Sequence, residues 1–260
     1  MSEKLTTFNP GWVKNKHKEI FDAGFQRVLL FYLFSTPCEG VSSSGINLKN
    51  YGWGKDVWKN PLLKETLQTV AKLHNGKNYI KCKKLENMTS CFTKADLDDG
   101  FHTKKAEERI AFYHDGKRNE FITILYYIRC ALAHGRFEIY KTENGNVYVM
   151  EAIKHTRNGY SSRARMVLKE STLIEWIEIF EGSSRKLEAL SHQRESKIRN
   201  AILHLISTTE VKNKHELANQ IDYEDYQVFA QINKMRKRNM VIYDNQRKVW
   251  KIPDAVDKAS

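Results

Sequence analysis

The chain has 260 residues, of which 41% are hydrophobic and 28% charged, which is a soluble globular composition, and its 4 prolines argue against long Pro-rich linkers and disordered tails. No apolar run approaches the roughly 20 residues that a membrane-spanning helix needs, and the polar start MSEKLTTFNPGW lacks the apolar segment of a secretory signal. We therefore expect a cytoplasmic protein with no membrane partner. The formal net charge of +12 favours a polyanionic partner.

The four cysteines, Cys38, Cys82, Cys91 and Cys130, form no C-x-x-C pair, and their spacing matches no common zinc site. No carboxylate or cysteine cluster has the spacing of a metal site either. We therefore expect free thiols, no bound metal and no cofactor.

The first part of the chain is predicted to be mainly helical. Apolar residues recur at three-to-four spacing over residues 14–35 and again after Asn60-Pro61, where the second helix should end at Asn75-Gly76. The Gly- and Ser-rich stretch 42–56 between them reads as a loop. Residues 77–101 show no clear pattern.

Two further helices are predicted, from about Lys104 to Tyr113 and from Lys117 to His134, the second closed by Gly135. Beyond Gly135, alternating and β-branched residues lie on both sides of Asn144-Gly145, which predicts a β-hairpin. A third strand is expected at residues 163–169. A helix then begins near Ser171 and is interrupted near Gly182-Ser183.

From Glu195 onward the pattern changes to three amphipathic helices followed by two short strands around Asp244-Asn245. That order is typical of a winged helix-turn-helix domain. Residues 194–252 carry twelve Lys or Arg against seven acidic residues, and residues 154–169 carry five Lys or Arg with no acidic residue. Two separate basic surfaces are therefore expected.

The sharpest motif is YYIRCALAHGRF at residues 126–137, in which Arg129 and His134 are followed by Gly135 and Arg136. This R-x4-H pattern resembles the HEPN family of helical-bundle proteins, many of which are metal-independent ribonucleases. The resemblance implies that Arg129 and His134 are catalytic, and that two copies of the motif share one cleft in a homodimer. The family commonly has a polar residue directly after the arginine, where this chain has Cys130.

The two residue types suit RNA cleavage without a metal. A histidine can transfer the proton of the 2′-hydroxyl or of the leaving oxygen, and a guanidinium can stabilise charge on the phosphoryl oxygens. The alternative is structural: His134 interacts with the carbonyls at the end of the helix, and Arg129 is a solvated surface group. Arg136 is a further candidate for phosphate contact. The related arrangement in which a partner enzyme modifies a tyrosine two residues after the histidine is not favoured, because Arg136 occupies that position.

Additional nucleic-acid contacts are predicted in both basic segments. In the C-terminal domain the recognition helix and the hairpin should expose polar and cationic side chains suited to bases and phosphates; the candidates are Gln227, Gln231, Lys234, Arg236, Lys237, Arg238, Arg247 and Lys248. Arg157, Arg163 and Arg165 form a second candidate track for an RNA backbone. The alternative is that the C-terminal domain binds protein.

Together these features predict a mainly α protein with small β elements. The first domain, residues 1–192, would be a HEPN-like helical bundle with a β-hairpin insertion at about 136–169, and residues 193–260 would be the winged helix-turn-helix domain. The expected function is metal-independent endoribonuclease activity on RNA in bacterial defence or toxin biology, with DNA and a regulatory protein as further candidate partners. The alternative is a non-catalytic dimeric nucleic-acid-binding regulator that uses the bundle only for dimerisation.

Overall fold

The computed structural model describes residues 12–13, 22–38, 45–54, 57, 61–98, 107–156 and 159–253. The chain forms two compact units, Met1–Leu187 and Glu188–Ser260, whereas the sequence predicts the boundary between residues 192 and 193. Across the described ranges, no helix combines the length and the apolar character needed to cross a membrane.

The helices of the first unit lie close to several of the predicted ones. Its main helices are α1 (Ala23–Leu30), α2 (Pro61–Val70), α3 (Met88–Lys94), α4 (Glu120–Ala133) and α5 (Glu170–Glu181). A π-helical turn at Phe31–Ser35 continues α1, and short 3-10 turns occupy Leu48–Tyr51 and Leu85–Asn87. Residues 14–21 of the first predicted helix, and the predicted N-cap Asn60, lie outside the described residues.

A five-stranded mixed sheet forms the centre of this unit. Its strands are β1 (Tyr79–Cys82), β2 (Arg109–Tyr113), β3 (Phe137–Thr142), β4 (Gly145–Thr156) and β5 (Gly159–Lys169), in the spatial order β1-β2-β5-β4-β3. Strands β1 and β2 are parallel, and the other neighbours are antiparallel. The predicted hairpin around Asn144-Gly145 and the predicted third strand are therefore confirmed.

The predicted helical bundle with a small β insertion is wrong, because the described residues are 52% helical and 21% strand and include a five-stranded mixed sheet. The error arises before the hairpin: the predicted helix from Lys104 to Tyr113 is strand β2 over residues 109–113, and residues 104–106 lie outside the described residues. Four of the five β2 residues are buried, so the strand lacks the polar alternation that identifies a half-exposed strand. Its helix-favouring neighbours Lys104, Glu107 and Glu108 complete the misleading pattern.

Both faces of the sheet are covered. On one face, Ile80, Ala111 and Val167 join a buried apolar cluster with Met88 and Phe92 of α3. On the other face, α4 and α5 pack through aromatic rings: Tyr79 contacts Phe121, and Phe121 contacts Trp176 at 5.7 Å between ring centroids. The sheet therefore holds α4 against one of its faces, which decides where the end of α4 lies.

Glu108 lies in this core, just before β2, and its side chain accepts a hydrogen bond from the backbone N–H of Lys169 at 2.9 Å. Burial raises the pKa of Glu108 to about 7, although hydrogen bonds from Thr172 and Lys169 lower it in part. Between its ordinary pKa of 4.5 and this value, the folded protein binds a proton that the unfolded chain releases. The free energy of unfolding therefore falls as the pH rises through this window.

We expect Glu108→Gln to remove this pH dependence, because the amide keeps an oxygen acceptor for Lys169 and carries no charge. The stability of the variant relative to the wild type should rise by up to roughly 3 kcal/mol between about pH 5 and about pH 8. Urea unfolding of both proteins at the two pH values measures the difference. A difference that is the same at both pH values would contradict the assignment.

The second unit follows the element order predicted for it. Helix α6 (Ser183–Thr208) contains the boundary between the units and is followed by α7 (Lys214–Gln220), α8 (Asp225–Lys237) and the antiparallel strands β6 (Ile242–Asp244) and β7 (Val249–Lys251). Its apolar core joins Ile202, Leu217 and Val228 from the three helices with Trp250 of β7. The winged helix-turn-helix class itself remains a prediction.

Candidate functional site

Helix α4 carries the predicted motif and is fixed at both ends. At its start, Glu120 forms ion pairs with Lys64, at 3.0 Å, and with Lys81. Burial raises the pKa of Glu120, but hydrogen bonds and charges from Lys81 and Lys64 outweigh that effect and lower the pKa to about 2. The carboxylate is therefore ionised at neutral pH and ties α4 to α2 and β1.

At the other end of α4, His134 is the C-cap residue and is exposed to solvent. Gly135 follows with φ at +61°, a left-handed conformation that favours glycine, so the predicted helix end at Gly135 is confirmed. The chain then reverses, and the N–H of Arg136 donates to the carbonyl of Ala131 at 2.8 Å. This turn places His134 at the point where α4 meets the sheet.

His134 lines a cavity of about 470 Å³. The cavity lies between the second half of α4, the segment after β2, and the far ends of β4 and β5. Its described lining is Tyr113, Asp115, Lys117, Arg118, Thr123, Tyr126, Tyr127, Cys130, His134, Ala152, Ile153, Lys154, His155 and Arg163. Both imidazoles in this set, those of His134 and His155, are on exposed residues, so they are accessible to a bound molecule.

The charges of the described lining are mostly positive, with one carboxylate, Asp115, against the cations Lys117, Arg118, Lys154 and Arg163. Two of these cations lie over tyrosine rings: Arg163 is 5.2 Å from the ring centroid of Tyr113, and Arg118 is 5.3 Å from that of Tyr126. Such contacts hold a guanidinium in place without neutralising it. The cavity therefore suits an anion.

Arg163 provides the most specific indication of a ligand. Its Nε atom is buried and has no hydrogen-bond partner among the residues that the structure describes. A buried donor that is left unpaired is costly, so the guanidinium would gain from a rearrangement that brings its Nε within reach of an anionic oxygen. Arg163 was predicted as a nucleic-acid contact, and its position in the cavity is compatible with that role.

Cys130 lines the same cavity but is poorly suited to act as a nucleophile. Burial raises the pKa of its thiol, although a hydrogen bond from Tyr126 and the charges of Arg129 and Arg118 lower it in part. Burial also raises the pKa of Tyr127 above its usual range, and the Tyr127 hydroxyl donates to the carbonyl of Tyr113 at 3.0 Å. Both side chains are therefore protonated at neutral pH.

Arg129 is not brought to the cavity with His134, since it is absent from the described lining. It is half-buried, and its Nε is buried without a partner among the described residues. Five residues along a helix separate two side chains by about 140°, and α4 keeps its regular form up to Ala133. Within one chain, therefore, the predicted Arg129 and His134 pair does not share this cavity.

The predicted basic track over the third strand is corrected at Arg165. The Arg165 side chain is 3% exposed, its Nε contacts Oε1 of the buried Glu151 at 3.2 Å, and its Nη1 donates to the carbonyl of Leu97 at 2.9 Å. The guanidinium also lies against the rings of Trp12 and Phe92. It is therefore a core residue and cannot contact an RNA backbone, and Arg157 lies outside the described residues.

Arg136, the remaining candidate near the motif, is half-buried, with its guanidinium 5.9 Å from the ring centroid of Tyr160. Tyr160 in turn contacts the ring of His155, at 4.9 Å between centroids. The Tyr160 ring therefore connects Arg136 with His155, which is part of the cavity wall.

In the second unit, two predicted base contacts are wrong. Gln227 and Gln231 are only 8% and 7% exposed, because they share the buried face of α8 with Val228 and Ile232. The cationic candidates are all exposed: Lys234, Arg236, Lys237, Arg238, Arg247 and Lys248. Among them, Lys234 pairs with Glu195 at 2.7 Å.

Several cavity residues carry little signal in the sequence. Lys154 and His155 belong to a recognised basic stretch, yet nothing local connects them with His134. Tyr113 and Arg118 lie in the two segments that the sequence predicts as helices, about 104–113 and 117–134. Arg118 is two residues from the start of α4, but the position of Tyr113 depends on β2 pairing with β5, a contact between segments more than 50 residues apart.

Within the described part of the chain, no group of three or more His, Cys, Asp or Glu side chains is arranged to hold a metal ion. Comparison of the chain with protein-family models, with curated proteins and with solved structures finds no match.

Proposed function

We propose that this protein cleaves RNA without a metal ion, and that His134 and His155 are its general acid and base. The observation that carries the proposal is the lining of one cavity by two exposed histidines and by Arg163, whose buried Nε lacks a partner among the described residues. Histidine pairs suit proton transfer at neutral pH, and an unpaired buried guanidinium donor suits a phosphate oxygen.

In this reaction one neutral imidazole removes the proton of a ribose 2′-hydroxyl, and the oxygen attacks the adjacent phosphorus. The bond from phosphorus to the 5′-oxygen breaks, and the other imidazole, protonated beforehand, gives its proton to that oxygen. The products are a 2′,3′-cyclic phosphate and a 5′-hydroxyl, and the two histidines have exchanged protonation states. A proton exchange with water restores them.

The cations of the cavity stabilise the negative charge that gathers on the phosphoryl oxygens. Arg163 donates through its guanidinium, and Lys154, beside His155 in β4, adds a second positive charge. Donors held in place before the reaction contribute more than mobile ones, because they need no reorganisation in the transition state. The contact of Arg163 with the Tyr113 ring provides such positioning.

The R-x4-H motif supports the same reaction, because its resemblance to HEPN ribonucleases implies a catalytic role for His134. The resemblance also implies a role for Arg129 and a homodimer with a shared cleft, and both belong to this proposal as features still to be tested. A place in bacterial defence or toxin biology, and a regulatory protein partner, rest on the resemblance alone.

The proposal is tested by incubating the purified protein with a defined RNA in EDTA. We expect cleavage with 2′,3′-cyclic phosphate ends, detected by mass spectrometry, and no cleavage of the same sequence made with deoxyribose, because the nucleophile is the 2′-hydroxyl. Cleavage of both polymers, or cleavage only after addition of Mg²⁺, would contradict the mechanism.

A second candidate function is nucleic-acid binding by the second unit, with or without cleavage by the first. It is favoured by the exposed cations at the end of α8 and in the hairpin formed by β6 and β7, namely Arg236, Lys237, Arg238, Arg247 and Lys248. Such a surface suits contacts with phosphates.

Reversing the charge of Arg236, Lys237 and Arg238 together should weaken binding of duplex DNA or RNA. It should also reduce the slope of log K against log salt by about 2 to 3, since each phosphate contact contributes about 0.7 to 0.9. Titrations at several salt concentrations measure both quantities, and Lys197→Glu, an exposed change on α6, is the matched control. An unchanged slope in the triple variant would indicate that this surface contacts protein instead.

A further inference from the structure

Tyr160 is the centre of a small exposed cluster at the end of the hairpin formed by β4 and β5. Its side chain is 45% exposed. The ring of His155, its partner across the strands, stands at 86° to it with 4.9 Å between centroids. The guanidinium of Arg136 lies 5.9 Å from the Tyr160 centroid.

This cluster adjoins the candidate active site. His155 belongs both to the cluster and to the cavity lining, and Arg136 follows His134 by two residues through the turn at Gly135. Tyr160 itself is not among the described residues that line the cavity. It therefore lies next to the cavity, with its ring against the imidazole of His155, a histidine that the proposed reaction uses.

The chemistry of the cluster fits a nucleobase. An exposed tyrosine ring provides a flat apolar surface on which a base can stack, and a nearby guanidinium adds attraction for both a π-face and a phosphate. Tyr160 is separated from the cavity by the His155 side chain alone. A base stacked on its ring would therefore belong to the nucleotide next to the one that is cleaved. A base in a duplex is already stacked and paired, whereas an unpaired base is free to turn onto the ring.

We propose that Tyr160 is a specificity-determining residue that stacks with the base adjoining the cleaved bond, so that the substrate is single-stranded RNA. This inference rests on the proposed function for the position of the cleaved bond, but the stacking itself can be measured without cleavage. Arg136 positions the ring and contacts the neighbouring phosphate. Arg136 therefore contributes to binding together with Tyr160.

The test measures binding of a short fluorescent 2′-O-methyl RNA, which has no 2′-hydroxyl to react, by anisotropy. All proteins carry the α8 charge reversals at Arg236, Lys237 and Arg238, so that binding by the second unit is suppressed. We expect Tyr160→Ala and Tyr160→Leu to weaken binding of the single strand by about 5- to 150-fold, and Tyr160→Phe to stay within about twofold of the parent. Binding of the same RNA as a duplex should be equal in all four proteins.

The stacking proposal is overturned if Tyr160→Ala binds the single strand as tightly as the parent does, or if the parent does not bind it. It is also overturned if Tyr160→Phe loses as much affinity as Tyr160→Ala, since the ring would then not be the binding element. If the expected affinities are found but the wild type cleaves no RNA, the base-binding site stands and the proposed ribonuclease activity fails.

Discussion

Replacing His134 with alanine is expected to lower the kcat of RNA cleavage by about 10²- to 10⁴-fold, which is the usual contribution of a positioned acid or base. KM should stay near the wild-type value, because the imidazole acts mainly in the transition state. His134 is exposed at the end of α4, so its removal should leave the fold intact. Single-turnover cleavage rates and thermal unfolding of the same preparations measure the two effects.

His155→Ala should cause a loss of similar size, and the double variant should be little worse than either single variant, because the two imidazoles act as a unit. His204→Ala, an exposed histidine on α6, is the matched control and should cleave at the wild-type rate. Full activity in His155→Ala would remove His155 from the mechanism.

Breaking the buried pair of Arg165 and Glu151 is expected to have the largest effect on stability. Glu151→Ala leaves the Arg165 guanidinium charged in the core between Trp12 and Phe92, with the carbonyl of Leu97 as one remaining partner. Loss of one member of a buried pair costs about 3–5 kcal/mol, because the other charge remains buried without compensation. Urea unfolding followed by tryptophan fluorescence measures the loss.

Replacing both members, as in Glu151→Leu with Arg165→Met, should destabilise the protein less than Glu151→Ala alone, since no buried charge remains. The matched control is Glu178→Ala, which breaks the exposed pair with Lys186 at 3.2 Å. An exposed pair contributes at most about 1 kcal/mol. A loss for Glu151→Ala as small as that of the control would show that the Arg165 charge is relieved by water.

The sequence alone determined those features that depend on neighbours along the chain. The end of α4 at Gly135 follows from a position that requires positive φ, and the hairpin follows from the turn residues Asn144-Gly145. The order of three helices and two strands in the second unit was likewise readable from apolar periodicity. His134 could be singled out for the same reason, because its motif is local.

The tertiary structure alone decided what depends on contacts between distant segments. Strand β2 has no alternating pattern because both of its faces are buried, so the sheet and the cavity beside it were not predictable from local periodicity. Burial also reversed the expected roles of Arg165, Gln227 and Gln231, which are polar in sequence yet lie in the two cores. The approach of His155 to the cavity of His134 has the same origin: it requires β4 to pack against α4, and no residue near either histidine encodes that contact by itself.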